Sequence, residues 1–195
     1  LRIPLFLLIS LLNSLASYAS NEMSFHQLGV KTGMSDNYIQ AIERDKYGFM
    51  WFATRDGLNR YDGYHFKTYT TLRQGAYNNS VEWVAEDAAG NIWIKTPVNY
   101  CFYDREMDEL DNRTELLLHK IGIFESPRQL FIDDDKNLWC VADNTLYYYI
   151  FSDETLYKQS LPGSVNIADM ACRNKRCYIL MTDGNVTVSY THLRA

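Results

Sequence analysis

The chain of 195 residues has little of what catalysis, metal binding or nucleic-acid binding requires. Its four histidines, His26, His65, His119 and His192, are scattered and show no ligand spacing. Its four cysteines, Cys101, Cys140, Cys172 and Cys177, make no Cys-x-x-Cys pair of the kind that holds zinc. There is no Gly-x-Ser-x-Gly elbow, no His-Glu-x-x-His pair and no glycine-rich phosphate loop. Lys and Arg number 19 against 24 Asp and Glu, so the formal charge is −5. That balance excludes the basic footprint of a nucleic-acid or anionic-membrane binder. Past the first dozen residues no apolar run is long enough to span a bilayer. The sequence therefore assigns no catalytic residue, no metal ligand, no cofactor and no nucleic-acid contact.

One apolar run is present at the start. Ile3 to Leu12 follows a single positive charge, Arg2, and precedes the small-x-small end Ser17-Tyr18-Ala19. This pattern predicts a signal peptide over 1–20 and an exported chain. Export permits disulfides. Cys172 and Cys177 flank the polar turn Arg173-Asn174-Lys175-Arg176. Two readings stand there: a cross-strand disulfide, or two small half-buried thiols.

The strongest signal is a repeat. Asp45-Lys46-Tyr47-Gly48-Phe49-Met50-Trp51, Asp87-Ala88-Ala89-Gly90-Asn91-Ile92-Trp93 and Asp133-Asp134-Asp135-Lys136-Asn137-Leu138-Trp139 share one pattern. Their tryptophans stand 42 and 46 residues apart, the period of a propeller or solenoid array. Around the first copy, Tyr38–Arg44 alternates in period two, Phe49–Ala53 is a continuous apolar strand, and Leu58–Tyr61 and Tyr64–Tyr69 follow tight Asp-Gly turns. Asp45 and Asp87 start turns, and Gly48 and Gly90 are free to take positive φ. Four short antiparallel strands joined this way make one propeller blade.

The predicted fold is all-β: a propeller of about four blades of four antiparallel strands, as part of a larger seven-bladed ring. The propeller is expected over 21–187. Residues 24–34 are read as a closing outer strand and its exit. The blades are placed at 35–70, 77–104 and 127–151, with a partial blade at 165–187. Residues 105–126 are read as a polar connection holding the extra residues of the third unit. In the fourth, Tyr178 stands where tryptophan is expected. Trp51, Trp93 and Trp139 are assigned to core packing, one ring per blade, rather than to a sugar-stacking platform. Asp133-Asp134-Asp135 lacks the ordered spacing of a calcium loop and is read as a solvated turn. In Tyr147-Tyr148-Tyr149 at least one ring is expected in the core.

Gly33-Met34-Ser35-Asp36-Asn37-Tyr38-Ile39, running on through Trp51 to Gly57-Leu58-Asn59-Arg60-Tyr61-Asp62-Gly63, resembles the two-component regulator propeller repeat. The match is closest in the first unit and weaker after it; Thr96-Pro97-Val98-Asn99 replaces the usual glycine turn of the second. The resemblance covers residues 21–187. It implies the exported sensor region of a Bacteroides-type hybrid two-component histidine kinase, on the periplasmic side of the inner membrane. It also implies an oligosaccharide ligand, signalling to genes for polysaccharide use, a homodimer in the full-length sensor, and a membrane anchor downstream. Val188–Ala195 resembles the translated read-through of a sequencing adapter, so 188–195 are expected to be foreign and the chain a fragment. Two other functions compete: a carbohydrate-active propeller enzyme, lyase or glycosidase, and a non-catalytic scaffold. Sialidase-type Asp-boxes place Asp five positions before Trp, whereas Asp45 and Asp87 stand six before Trp51 and Trp93.

Overall fold

A computed structural model describes residues 24–70, 79–161, 167–173 and 176–190. The expected signal peptide 1–20, the turn residues Asn174 and Lys175, and residues 191–195 lie outside the described residues. Fifteen strands are described, in four antiparallel sheets. The first sheet holds β1 Ile39–Arg44, β2 Met50–Thr54, β3 Gly57–Tyr61 and β4 Phe66–Tyr69 in that order. The second holds β5 Trp83–Glu86, β6 Ile92–Lys95, β7 Tyr100–Asp104 and β8 Glu109–Asp111. The third holds β9 Pro127–Ile132, β10 Leu138–Ala142, β11 Thr145–Ile150 and β12 Thr155–Ser160. The fourth has three described strands, β13 Ile167–Arg173, β14 Arg176–Met181 and β15 Val186–Tyr190. In each sheet sequential strands are neighbours, as tight turns demand. This is the blade architecture of a β-propeller.

The Asp turns form by one local mechanism. Asp45 Oδ1 accepts from the backbone N–H groups of Tyr47 and Phe49, both at 3.0 Å, and its own carbonyl accepts from Gly48 N at 2.9 Å. The residue closing each turn has positive φ: Gly48, Gly90 and, at a cost of about 1 kcal/mol, Lys136. At Gly90 the glycine has a second reason, because a Cβ there would fall on the Lys46 stem of the preceding sheet.

Three apolar clusters fill the gaps between consecutive sheets. The first joins Trp51, Ala53, Leu58 and Tyr69 to Val84, Ile92, Ile94, Cys101 and Tyr103. The second joins Trp93 and Tyr100 to Leu138, Cys140, Tyr147 and Tyr149. The third joins Trp139, Val141 and Tyr148 to Met170, Cys172, Cys177 and Ile179. Trp51, Trp93 and Trp139 are each at most 1 % exposed and face the sheet that follows their own. All of Tyr147, Tyr148 and Tyr149 are buried, because both faces of the third sheet are covered. Tyr178, in the corresponding position of the fourth sheet, is half exposed.

Several sequence boundaries move. The second blade runs past 104 to include β8, the third past 151 to include β12, and β15 continues through 188–190. The connection 105–126 carries β8, a one-turn helix α1 at Glu115–Leu118 and a 3-10 turn at His119–Ile121. β8 has three residues with one buried, too few to show alternation. Leu118 and Ile123 anchor the insertion in the cluster between the second and third sheets. Of residues 24–34, read from the sequence as a closing outer strand and its exit, 24–28 form no strand, and Phe25 is 87 % exposed. The segment after them has a different task. Ser35 N donates to Asn59 Oδ1 at 3.0 Å and Asn59 Nδ2 to Ser35 Oγ at 2.8 Å, which pins residues 34–35 over the outward face of the first sheet and buries Met34 and Asn59.

Candidate ligand site

Because adjacent strands are antiparallel, the turn after the first strand of each sheet and the turn after its third strand share one end of the molecule. The Asp turns occupy that end, and they interlock from sheet to sheet. Lys46 N donates to both Glu86 carboxylate oxygens at 3.0 Å, and Lys46 Nζ donates to Ala89 O at 2.9 Å. Ala88 N donates to Lys136 O at 2.9 Å. Lys136 Nζ then pairs with Glu43, reaching from the third sheet back to the first.

Beneath each turn the same buried contact recurs. Trp51 Nε1 donates to Asp45 Oδ2 at 2.9 Å, Trp93 Nε1 to Asp87 Oδ2 at 2.8 Å, and Trp139 Nε1 to Asp133 Oδ2 at 2.9 Å. Asp45 and Asp87 therefore join the turn to the core, with Trp51 and Trp93. Asp133 corrects the solvated-turn reading: it is buried and also accepts from the backbone N–H groups of Asp135 and Asn137. Burial pushes its carboxyl above the ordinary range, against the pull of those hydrogen bonds. Its position six residues before Trp139, the same as that of Asp45 before Trp51 and Asp87 before Trp93, is the signal that could have identified it.

Two clefts open at this end on either side of the second sheet. One, about 390 Å3, lies over the join between the first and second sheets and includes Lys46, Tyr47, Asn91, Asp104, Arg105 and Lys120. The Tyr47 ring is exposed, and the Arg105 guanidinium lies 4.5 Å from its centroid. The other, about 480 Å3, lies between the second and third sheets and includes Asp87, Asn91, Lys120, Tyr149, Phe151 and Glu154. Lys120, from the insertion, lines both.

Nearby, Arg60 sits among the rings of Phe49, Trp51, Tyr69 and Tyr103, its guanidinium 4.8 to 5.8 Å from their centroids. Asp108 closes this cage. It accepts from Tyr69 Oη and Tyr103 Oη, each at 2.6 Å, and pairs with Arg60 and Lys67. Burial alone would raise the Asp108 carboxyl; the Lys67, Tyr103 and Tyr69 hydrogen bonds and the Arg60 charge together hold it well below the ordinary range. The cage ties β3 and β4 to the β7–β8 turn, and its Arg60–Asp108 pair joins residues 48 apart in sequence.

Cys172 and Cys177 face each other in register on β13 and β14 and are paired as a disulfide. Cys101 and Cys140 are free and buried, and burial pushes both thiols up to about 12, where they are unreactive at neutral pH. Among the described residues no group of His, Cys, Asp and Glu is arranged to hold a metal ion.

The model of the two component regulator propeller matches residues 33–56, the span from the Ser35 latch through the Asp45–Trp51 unit. The chain carries a two-component regulator propeller repeat. Over 37 residues, 19% of this chain and 3% of its relative, the sequence is 51% identical to Histidine kinase P4 of Formosa agariphila. In structure it is similar to the extracellular domain of the hybrid two component system BT3049 of B. thetaiotaomicron, with a TM-score of 0.56 at 22% identity over 85% of this chain and 25% of that one. The extracellular domain of BT4673 from the same organism gives 0.55 at 15% identity, over 87% of this chain and 22% of that one. At these identities the likeness is one of fold. The chain spans about a quarter or less of the length of these proteins.

Proposed function

We propose that this propeller is the non-catalytic, ligand-sensing module of an exported hybrid two-component sensor kinase, and that it takes an oligosaccharide at the Asp-turn end. The observation that carries this reading is the pair of clefts there. They combine an exposed Tyr47 ring, on which a sugar face can lie, with amide and charged groups around it, the mix of apolar surface and convergent polar groups that ligand sites use. A ligand seated over the join between two sheets touches both. Its binding then favours one relative placement of the sheets over another, and that difference in free energy is what a kinase downstream would read. Under this reading the module lies outside the inner membrane, and the anchor, the homodimer contact and the kinase belong to the rest of the sensor.

Calorimetric titration of the protein with a panel of neutral and acidic oligosaccharides tests the reading. The expected result is saturable binding that Tyr47→Ala weakens roughly tenfold, the scale of one lost ring contact, while Val98→Ala, on a turn at the opposite end, leaves it unchanged. Binding insensitive to Tyr47→Ala would move the site elsewhere. Cleavage of the bound oligosaccharide would establish a lyase or glycosidase instead.

A further inference from the structure

We infer that Lys136 straps the first sheet to the third across the Asp turn of the second, and that release of this strap, rather than melting of a sheet, lets the turn between the two clefts move. The inference holds whatever the clefts bind.

It starts from an exception in the repeat. The first two Asp turns close on glycine, Gly48 at φ 91° and Gly90 at φ 90°, which takes a left-handed backbone without strain. The third closes on Lys136 at φ 63°. Lysine is not among the residues that settle readily there, and its Cβ makes the conformation unfavourable. A strained residue stays in place through the contacts around it, and those of Lys136 reach three sheets. Its N–H donates to Asp133 O within its own turn, and its carbonyl accepts from Ala88 N of the second turn, both at 2.9 Å. Its ammonium pairs with Glu43, the last residue but one of β1. Lys46, by comparison, reaches only the next sheet, at Glu86 and Ala89. Glycine at 136 would keep both backbone bonds and lose the pair with Glu43. The side chain therefore adds one thing, a span over the second sheet.

Two opposing effects meet at this residue, and they are close in size. The Glu43 side chain is 19 % exposed and that of Lys136 39 %, so water screens part of their attraction. The left-handed backbone of Lys136 favours release on a similar scale. A strap so balanced opens readily, while the sheets stay sealed by their apolar clusters. Beneath it, Ala89 and Asn91 of the second turn line both clefts. Freeing that turn alters the two clefts together, and a ligand that prefers one placement of the turn biases the strap.

Native-state amide hydrogen exchange tests this in the unaltered protein, in Lys136→Met, which keeps the stem and removes the charge, in Glu43→Gln, and in the two combined. The Ala88 N–H should exchange about fivefold faster in either single variant, the scale of one half-exposed ion pair, and no faster in the double. Salt at about 1 M should bring the unaltered protein close to the variants. Rates in β10 and β14 should not change. Lys136→Gly cuts the strap and relieves the backbone, so it should also speed Ala88 while leaving the thermal melt unchanged or raised. A residue with a merely structural part would lower the melt as exchange quickened. Ala88 exchange unmoved by cutting the pair, or additive effects in the double variant, would show that the strap holds nothing and overturn the inference. Acceleration across all four sheets, or a lower melt in Lys136→Gly, would overturn it as well, because the pair would then stabilise the whole fold.

Discussion

At the scale of single residues, the molecule depends on a carboxylate repeated under each Asp turn. In the second sheet, Asp87 Oδ2 accepts from Trp93 Nε1 and Asn91 Nδ2, while Oδ1 accepts from Asn91 N. An amide cannot replace it, because either orientation of Asn sets its NH2 against a donor. Asp87→Asn should therefore cost about 2–4 kcal/mol in urea unfolding, one to two buried groups left unsatisfied. Trp93→Ala should cost about 3–5 kcal/mol. Asp133 and Asp108 carry opposite pH signatures. The Asp133 carboxyl is raised by burial, so its contribution to stability falls as pH rises from the ordinary aspartate value, about 3.9, through the folded one. Asp108 is depressed, so its contribution is present above the ordinary value and lost as pH falls through the folded one. Carboxyl carbon titration by NMR should place their midpoints on opposite sides of about 3.9. The turn role of Asp45 and Asp87 and the core role of the tryptophans were legible because one six-residue spacing from Asp to Trp recurs at a propeller-like period, while the hydrogen bond from indole to carboxylate was not read from it. Asp133 was obscured by its neighbours: three consecutive acids look solvated, and composition does not reveal which one turns inward.

At the scale of elements, the four strands of the first sheet were legible because alternation and Asp-Gly turns coincide there. β8 and α1 were not, because each is only three or four residues long and is stabilised by distant partners, Leu118 through the second cluster and β8 through β7. The clefts were illegible for the same reason: Lys46, Asn91, Arg105 and Lys120 meet only after sheets have stacked. The fourth sheet has its own device. Cys172 and Cys177 join β13 to β14 beside their turn. Reduction should speed amide hydrogen exchange in β13 and β14 and leave the first sheet's rates unchanged. Uniform acceleration across all four sheets would show that the bond holds more than its hairpin. Gly90→Ala should also act locally, straining a positive φ and displacing the Lys46 stem. A loss of about 1–2 kcal/mol in the free energy of unfolding, read from denaturant titration, is expected.

At the scale of the whole molecule, contiguous clusters between sheets and the interlocked turns make the assembly one body, and the Arg60 cage fastens its first join. Asp108→Ala strips two tyrosine hydroxyls and two cations of their acceptor. It should lower stability by about 1–2 kcal/mol at neutral pH, with the gap from the unaltered protein closing in strong acid, where Asp108 is protonated in both folded and unfolded chains. The central claim is that equivalent tryptophans, each hydrogen-bonded to its own turn, are sealed between successive sheets. Solvent exchange of the indole N–H groups, followed by NMR, tests it most directly. Of the four tryptophans, Trp51, Trp93 and Trp139 should exchange slowly, and Trp83, part-exposed and stacked on Phe131 with no indole hydrogen bond among the described residues, should exchange fast. Four indoles exchanging at one rate, or a fast one among the three, would contradict the stacked-sheet arrangement.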